Sequence, residues 1–480
     1  MQIETRESAA ERTREVETLS ADFRKELGFT DLALTQILYI VGSGWVGTAA
    51  KLGDQHIFFW LSAIALFYVP QAVVVIYLNR LMPIEGGLYQ WARVGLGEFW
   101  GFVTAWNIWA YTIIIMATFG VIIANNLSYL LAAAGGPTLT NVWWYTPLAS
   151  FLMLTGITTV SLLGLRIGKW LQDLGGVAHV LTFAALIIIP LIAIRRGLLT
   201  SYHPFSASVP KFTPFSLNIF GKMALGALSG FEYVAILAGE CRNARRAIGR
   251  SVVAAAPIIA LMFILGTSSV LALIPQNQID LVSPIPQTLT FALKGLANAQ
   301  LIVPALIFLL LCRQIGNVTL IFAGNTRLPL VAGWDRLLPR WFTHLHPRYR
   351  TPSHSILFVG ILIVVFSLVG QIGVGVQEAF QLLENSGGIL YAFCYLALFA
   401  IPLLAVKQLG KRPPLWLRAA AFSGFIVSLL YSVLSIFPII EVSNAAIFSI
   451  KIVSVLIAVQ LIGIAIYVTG KRRAQLGKLA

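Results

Sequence analysis

The sequence predicts an all-α protein that crosses a membrane about twelve times, and three observations predict it. Of 480 residues, 58% are hydrophobic and only 11% are charged. The mean hydropathy is +0.82. Apolar runs repeatedly exceed the roughly 20 residues that a helix needs to cross the hydrocarbon core. Only helices and closed barrels satisfy every backbone group in lipid, and the alternation typical of barrel strands is missing, so helix is the reading throughout.

The runs are centred near residues 40, 68, 115, 154, 184, 227, 262, 316, 361, 391, 427 and 458, numbered here as spans 1 to 12. Residues 1–28 are charged and lack an apolar core, so they are expected to form a cytoplasmic tail rather than a cleaved signal. Residues 29–470 are expected to form a single membrane domain, with 471–480 as a second cytoplasmic tail. The net charge of +15 belongs to the membrane topology and not to a nucleic-acid partner. With the N-terminus inside, 26 of the 34 Lys and Arg fall on the cytoplasmic side. Seven fall outside (Lys51, Arg195, Arg196, Lys211, Lys222, Lys294, Lys451), and Arg313 lies within a span. Cys241, Cys312 and Cys394 lie in or at the inner ends of spans and do not suggest a disulfide framework.

Span 1 carries "YIVGSGWVGTAAKLG", residues 39–53, with poor helix formers where unpaired backbone is expensive. Span 6 carries a matching interruption in "GKMALGALSGFEYVAILAGE", residues 221–240. Membrane helices use glycine for plain packing too. Breaks at corresponding places in two halves point further, to an inverted repeat with bare helix ends near the bilayer midplane.

Four segments resemble signatures of the amino acid–polyamine–organocation (APC) transporters: "VGSGWVG" in span 1, "PIEGGLYQWARVGLGEFWGF" after span 2, "GFEYVAILAGECRNARRAIGRS" closing span 6, and "GNTRLPLVAGWDRLLPRWFTHLHPRYRTPSHS" after span 8. The resemblance covers about residues 28–470. Asn243-Ala244 and Ile248-Gly249 depart from the Asn-Pro and Ile-Pro common in the family. The resemblance implies a leucine-transporter-like fold: repeat one at about 31–195, repeat two at about 215–405, and extra helices at about 416–469. It also implies alternating access to one central site.

An amino acid zwitterion needs an anion receptor beside a cation receptor. Ser43 and Gly44 open the outer half of span 1 and would donate N–H groups to the α-carboxylate, with Gly42 and Gly47 letting the chain unwind. Carbonyls around Gly226, Ala227, Leu228 and Ser229 would accept from the α-ammonium. Trp106 and Tyr111 in span 3 are candidates for the side-chain pocket, although most membrane aromatics are interfacial or packing residues.

Four ionisable residues lie within spans: His179, Glu232, Arg313 and Glu384. Glu232 is read either as a gating or proton-linked acid or as a carboxyl bonded to nearby backbone. Arg313 is expected to form an ion pair with Glu232 or Glu384, or to reach an acidic substrate. Glu384 ranks last. His179 falls where some proton-coupled family members carry a lysine, and histidine titrates near neutral pH, so it is the coupling candidate; the plain alternative is packing. Glu85-Gly86-Gly87 reads as a turn at the inner gate region. His344, His346 and His354 lack the spacing of a metal site. No phosphate-binding loop is present, so direct ATP drive is disfavoured.

The expected function is secondary transport of an amino acid across the cytoplasmic membrane, by proton symport or exchange, without a cofactor or metal. A polyamine or organic-cation carrier of the same fold is the alternative. An enzyme or a non-transporting sensor is more remote, because neither a nucleophile–base pair nor a signalling domain is evident.

Overall fold

The computed structural model describes residues 28–82, 87–140, 142–163, 165–205, 208–232, 244–296, 298–331, 352–405 and 412–476. Residues 1–27 and 477–480 of the tails, Glu85, Gly86, Cys241, Asn243, His344 and His346 lie outside the described residues.

Every described element is helical. Among the described residues, ten helices are long and apolar enough to span a membrane, and an eleventh crossing comes from a bent pair. That pair is span 1: Phe29–Ile40 and Ser43–Ala50 are separated at Val41-Gly42, and their axes differ by 48°. Span 6 starts at Pro214 with a capping box, in which Thr213 accepts from the Ser216 N–H and Ser216 returns a bond to the Thr213 backbone. It continues as a π-helix over Lys222–Ala227. Helix then stops at Ser229 and Gly230. Gly230 has φ +127, which a Cβ would oppose, and that Cβ would also sit 3.0 Å from both Ile40 and Tyr39. Both interruptions expected from the glycine-rich stretches are therefore present.

The remaining spans frame these two. Span 3 (Glu98–Ala133) is buried almost all round. Span 8 (Ala299–Val331) packs along span 3 and along span 5 (Leu165–Arg195), while span 10 (Val376–Leu404) packs along span 3 and span 11 (Leu415–Leu434). The outer half of span 1 meets span 7 (Ala244–Leu273), the short helix Pro284–Leu293 and the π-helical part of span 6. Both breaks thus lie inside the bundle, where bare backbone groups are shielded from lipid.

Candidate functional site

A central cavity of about 110 Å³ lies between the two breaks. Gly42, Ser43, Gly44 and Trp45 line it from span 1, Gly226 and Ser229 from span 6, Tyr111 from span 3, Arg313 from span 8, and Phe380, Glu384 and Tyr391 from span 10. Ser43 and Gly44 open a new helix, so the first N–H groups there have no intrahelical acceptor, and both residues line the cavity at the positive end of the helix dipole. Trp45 fills space that two glycines leave free. A Cβ at Gly42 would lie 2.7 Å from its indole Cδ1, and one at Gly226 would lie 2.7 Å from its Cζ3.

The other end of the span-1 break is already occupied. Arg313 Nη2 donates to the Val41 carbonyl at 2.5 Å, so a guanidinium caps the negative end of the inner half-helix. This corrects the ion pair expected for Arg313: among the described residues no carboxylate lies within salt-bridge distance of it. Glu232 is instead held by Tyr391 and Tyr395, which both donate to its carboxylate. The physical reason is that a backbone carbonyl at a helix break satisfies a guanidinium as a carboxylate would, without burying a second charge.

The span-6 break is closed by its own network. Gly230 N–H donates to the Tyr395 hydroxyl at 2.8 Å. With its amide turned to the orientation that pairs both oxygen and nitrogen, Gln71 donates to the Leu228 carbonyl at 2.9 Å and accepts from Phe231 N–H at 3.1 Å. Ala227 and Leu228 are fully buried and do not line the cavity. Of the four residues expected to receive the ammonium, only Gly226 and Ser229 reach the space, and the Leu228 carbonyl already has a donor.

Trp106 lies elsewhere. Its indole N–H donates to the Val459 carbonyl at 2.9 Å, and its ring stacks near Trp109 and Phe102, against span 12. Tyr111 does line the cavity and stacks on Tyr391, with centroids 4.3 Å apart and planes within 3°. His179 is fully buried beside Phe183, and among the described residues neither ring nitrogen has a hydrogen-bond partner. Arg313 is its electrostatic neighbour. One turn earlier, a Cβ at Gly175 would meet the Arg313 backbone at 3.3 Å, so this face of span 5 lies on the arginine.

Lys222 is the residue the sequence misplaced. Expected outside, it is only 2% exposed within span 6, and its ammonium donates to Asn385 on span 10. The available signal was its depth: it stands eight residues beyond Pro214, where the helix begins.

A wide vestibule of about 1660 Å³ opens at the end of the bundle bearing Lys51, Asp280, Glu378 and Glu441. Ala379 lines it while Phe380 lines the cavity, so the two spaces are adjacent along span 10. Asp280 is fixed by Asn125 and Tyr129, both at 3.1 Å. Burial lowers the Lys51 ammonium below the usual lysine pKa, an effect that the charge of Asp280 partly offsets.

Comparison with known proteins agrees with this fold. The chain is 23% identical over 81% of its length to the serine/threonine exchanger SteT of Bacillus subtilis, covering 85% of that protein. It is 25% identical over 83% of its length to the human cationic amino acid transporter 4, covering 62% of that protein. The crystal structure of MhsT in complex with L-phenylalanine shares its fold, with a TM-score of 0.57 at 15% identity over 84% of this chain and 97% of that one. Residues 27–467 match the amino acid permease family, and the chain belongs to it.

Proposed function

We propose that the chain is a secondary active transporter that carries an amino acid across the cytoplasmic membrane by alternating access, as a proton symporter or an exchanger. The observation that carries this reading is the cavity between two interrupted helices, with the free N–H groups of Ser43 and Gly44 opening onto it. They would bind the α-carboxylate, and Gly226 and Ser229 would face the ammonium end. The exchanger named among the relatives supports exchange as one of the two modes. Counterflow in proteoliposomes, screened with the twenty amino acids and common amines, tests it. Exchange of diamines alone would replace the zwitterion with an organic cation.

Proton coupling is assigned to His179. With the imidazole neutral, Arg313 is free to hold the Val41 carbonyl. A proton on His179 places a second cation against the same arginine, loosens that tie and favours the other access state. Unequal binding to the two states is what lets a proton drive the cycle. His179→Ala is expected to abolish the dependence of uptake on an imposed proton gradient. Uptake under an imposed pH gradient, wild type beside mutant, measures this; undiminished proton-driven accumulation in the mutant would return His179 to a packing role.

A further inference from the structure

We infer that Lys222 sets the substrate class by cancelling the charge of Glu384, so that the central cavity selects amino acids with small uncharged side chains and turns away lysine-like amino acids and diamines. This rests on the reading of the chain as an amino acid transporter.

Among the described residues lining the cavity, Glu384 is the one carboxylate and Arg313 the one cation. Phe380, Glu384 and Tyr391 follow one another at i, i+4 and i+11 and share the cavity face of span 10. Glu384 is 8% exposed and has no hydrogen-bond partner among the described residues. A lone carboxylate flanked by aromatic faces is the chemistry that captures an organic cation. By itself it would make this a site for a cationic side chain.

Lys222 changes that. Gly221 brings span 6 close to span 11, where a Cβ would lie 3.2 Å from Tyr431 Cα. The lysine is thereby directed between spans 10 and 11. Its ammonium donates to Asn385, the residue next to Glu384, and lies 5.9 Å from the Tyr431 ring centroid. From there it acts electrostatically on Glu384. Glu384 lines the cavity, and Lys222 is not among the described residues that do. Glu232 is held between Tyr391 and Tyr395 and Arg313 stands on another wall, so a cationic side chain would find no unmatched carboxylate in a site shielded from water.

Size points the same way. The Trp45 indole occupies the room left by Gly42 and Gly226, and about 110 Å³ remains. Such selectivity combines an attractive element, the helix N-terminus, with a repulsive one.

The test is counterflow of labelled L-alanine in proteoliposomes, with L-lysine, putrescine and L-glutamate as competitors, for wild type, Lys222→Met and Glu384→Gln. Wild type is expected to exchange alanine without competition from lysine or putrescine. Lys222→Met unmasks the carboxylate and should raise competition by both cations, relative to alanine, by about tenfold or more. Glu384→Gln leaves the ammonium unmatched and should shift preference by a similar factor toward glutamate. Either shift in a folded variant supports the inference, so loss of one variant to misfolding leaves the other to decide. Wild-type exchange of lysine or putrescine on a par with alanine overturns it, as do folded variants that shift neither way. If both variants misfold, the wild-type competition decides. A wild-type protein that exchanges no amino acid overturns the transport reading itself, a result distinct from exchange of the wrong side chain.

Discussion

The two breaks look alike in sequence, yet their chemistry differs. At span 1, the N–H groups of Ser43 and Gly44 open onto the cavity, and only the carbonyl end is closed, by Arg313. At span 6, Tyr395 and Gln71 satisfy the broken backbone, and Glu232 is anchored between two tyrosines. An interrupted helix therefore need not be a binding site. It becomes one when its bare groups are left for a ligand, and it is a fixed bend when side chains supply the missing bonds. On the reading proposed above, span 1 is the principal recognising break, and span 6 mainly supports it.

The largest effect is expected where that contrast is sharpest. Gly44→Leu should abolish substrate binding, because a branched side chain would fill the space in front of the N–H groups and favour a continuous helix. Gly44→Ala should be far milder, since its Cβ would sit at ordinary contact distance, 3.6 Å from the Leu281 carbonyl oxygen and 3.7 Å from Phe380. Substrate-induced thermal stabilisation of the purified variants reads both. Stabilisation that persists in the leucine variant would move recognition away from span 1.

The supporting break should respond in stability before affinity. Tyr395→Phe removes the hydroxyl that accepts from Gly230 N–H and one of the two tyrosine donors to Glu232, and a buried polar group left unpaired costs about 1–3 kcal/mol. A lower melting temperature with nearly retained affinity is the expected result. An affinity loss as deep as that of Gly44→Leu would erase the distinction between the two breaks.

How much of this was legible follows from what each feature depends on. The membrane class and both interruptions depend on local composition, and the stretches around Gly42-Ser43-Gly44 and Ser229-Gly230 announced them. Side-chain facing depends on helix phase. Span 3 is buried on nearly every side and offers no polar stripe from which to read that phase, so Trp106 and Tyr111 could not be told apart. Arg313 answers a backbone carbonyl rather than an acid, and a carbonyl is available at every residue, so no spacing rule exposes the pair. Lys222 was counted with the loops because a lysine near the end of an apolar run ordinarily reaches water. Its burial follows from Gly221 and Asn385, which are remote from each other in sequence and meet only in the fold.

The smallest effect tests how much of span 1's recognition is backbone. Ser43 is 9% exposed and lines the cavity, and it carries both a backbone N–H and a hydroxyl that could serve the carboxylate. Replacing it by alanine removes the hydroxyl and leaves the helix N-terminus in place. If the backbone carries the carboxylate, only one hydrogen bond of about 0.5–1.5 kcal/mol is lost, which corresponds to an affinity decrease of about two- to twelvefold. Glycine at the same position should give a similar value, because it too keeps the N–H. The comparison is made by titrating substrate against thermal stability in wild type, Ser43→Ala and Ser43→Gly. A loss of a hundredfold or more in both variants would show that the hydroxyl, and not the open helix end, is the principal anion receptor, and the contrast between the two breaks would then rest on one side chain instead of on backbone left free.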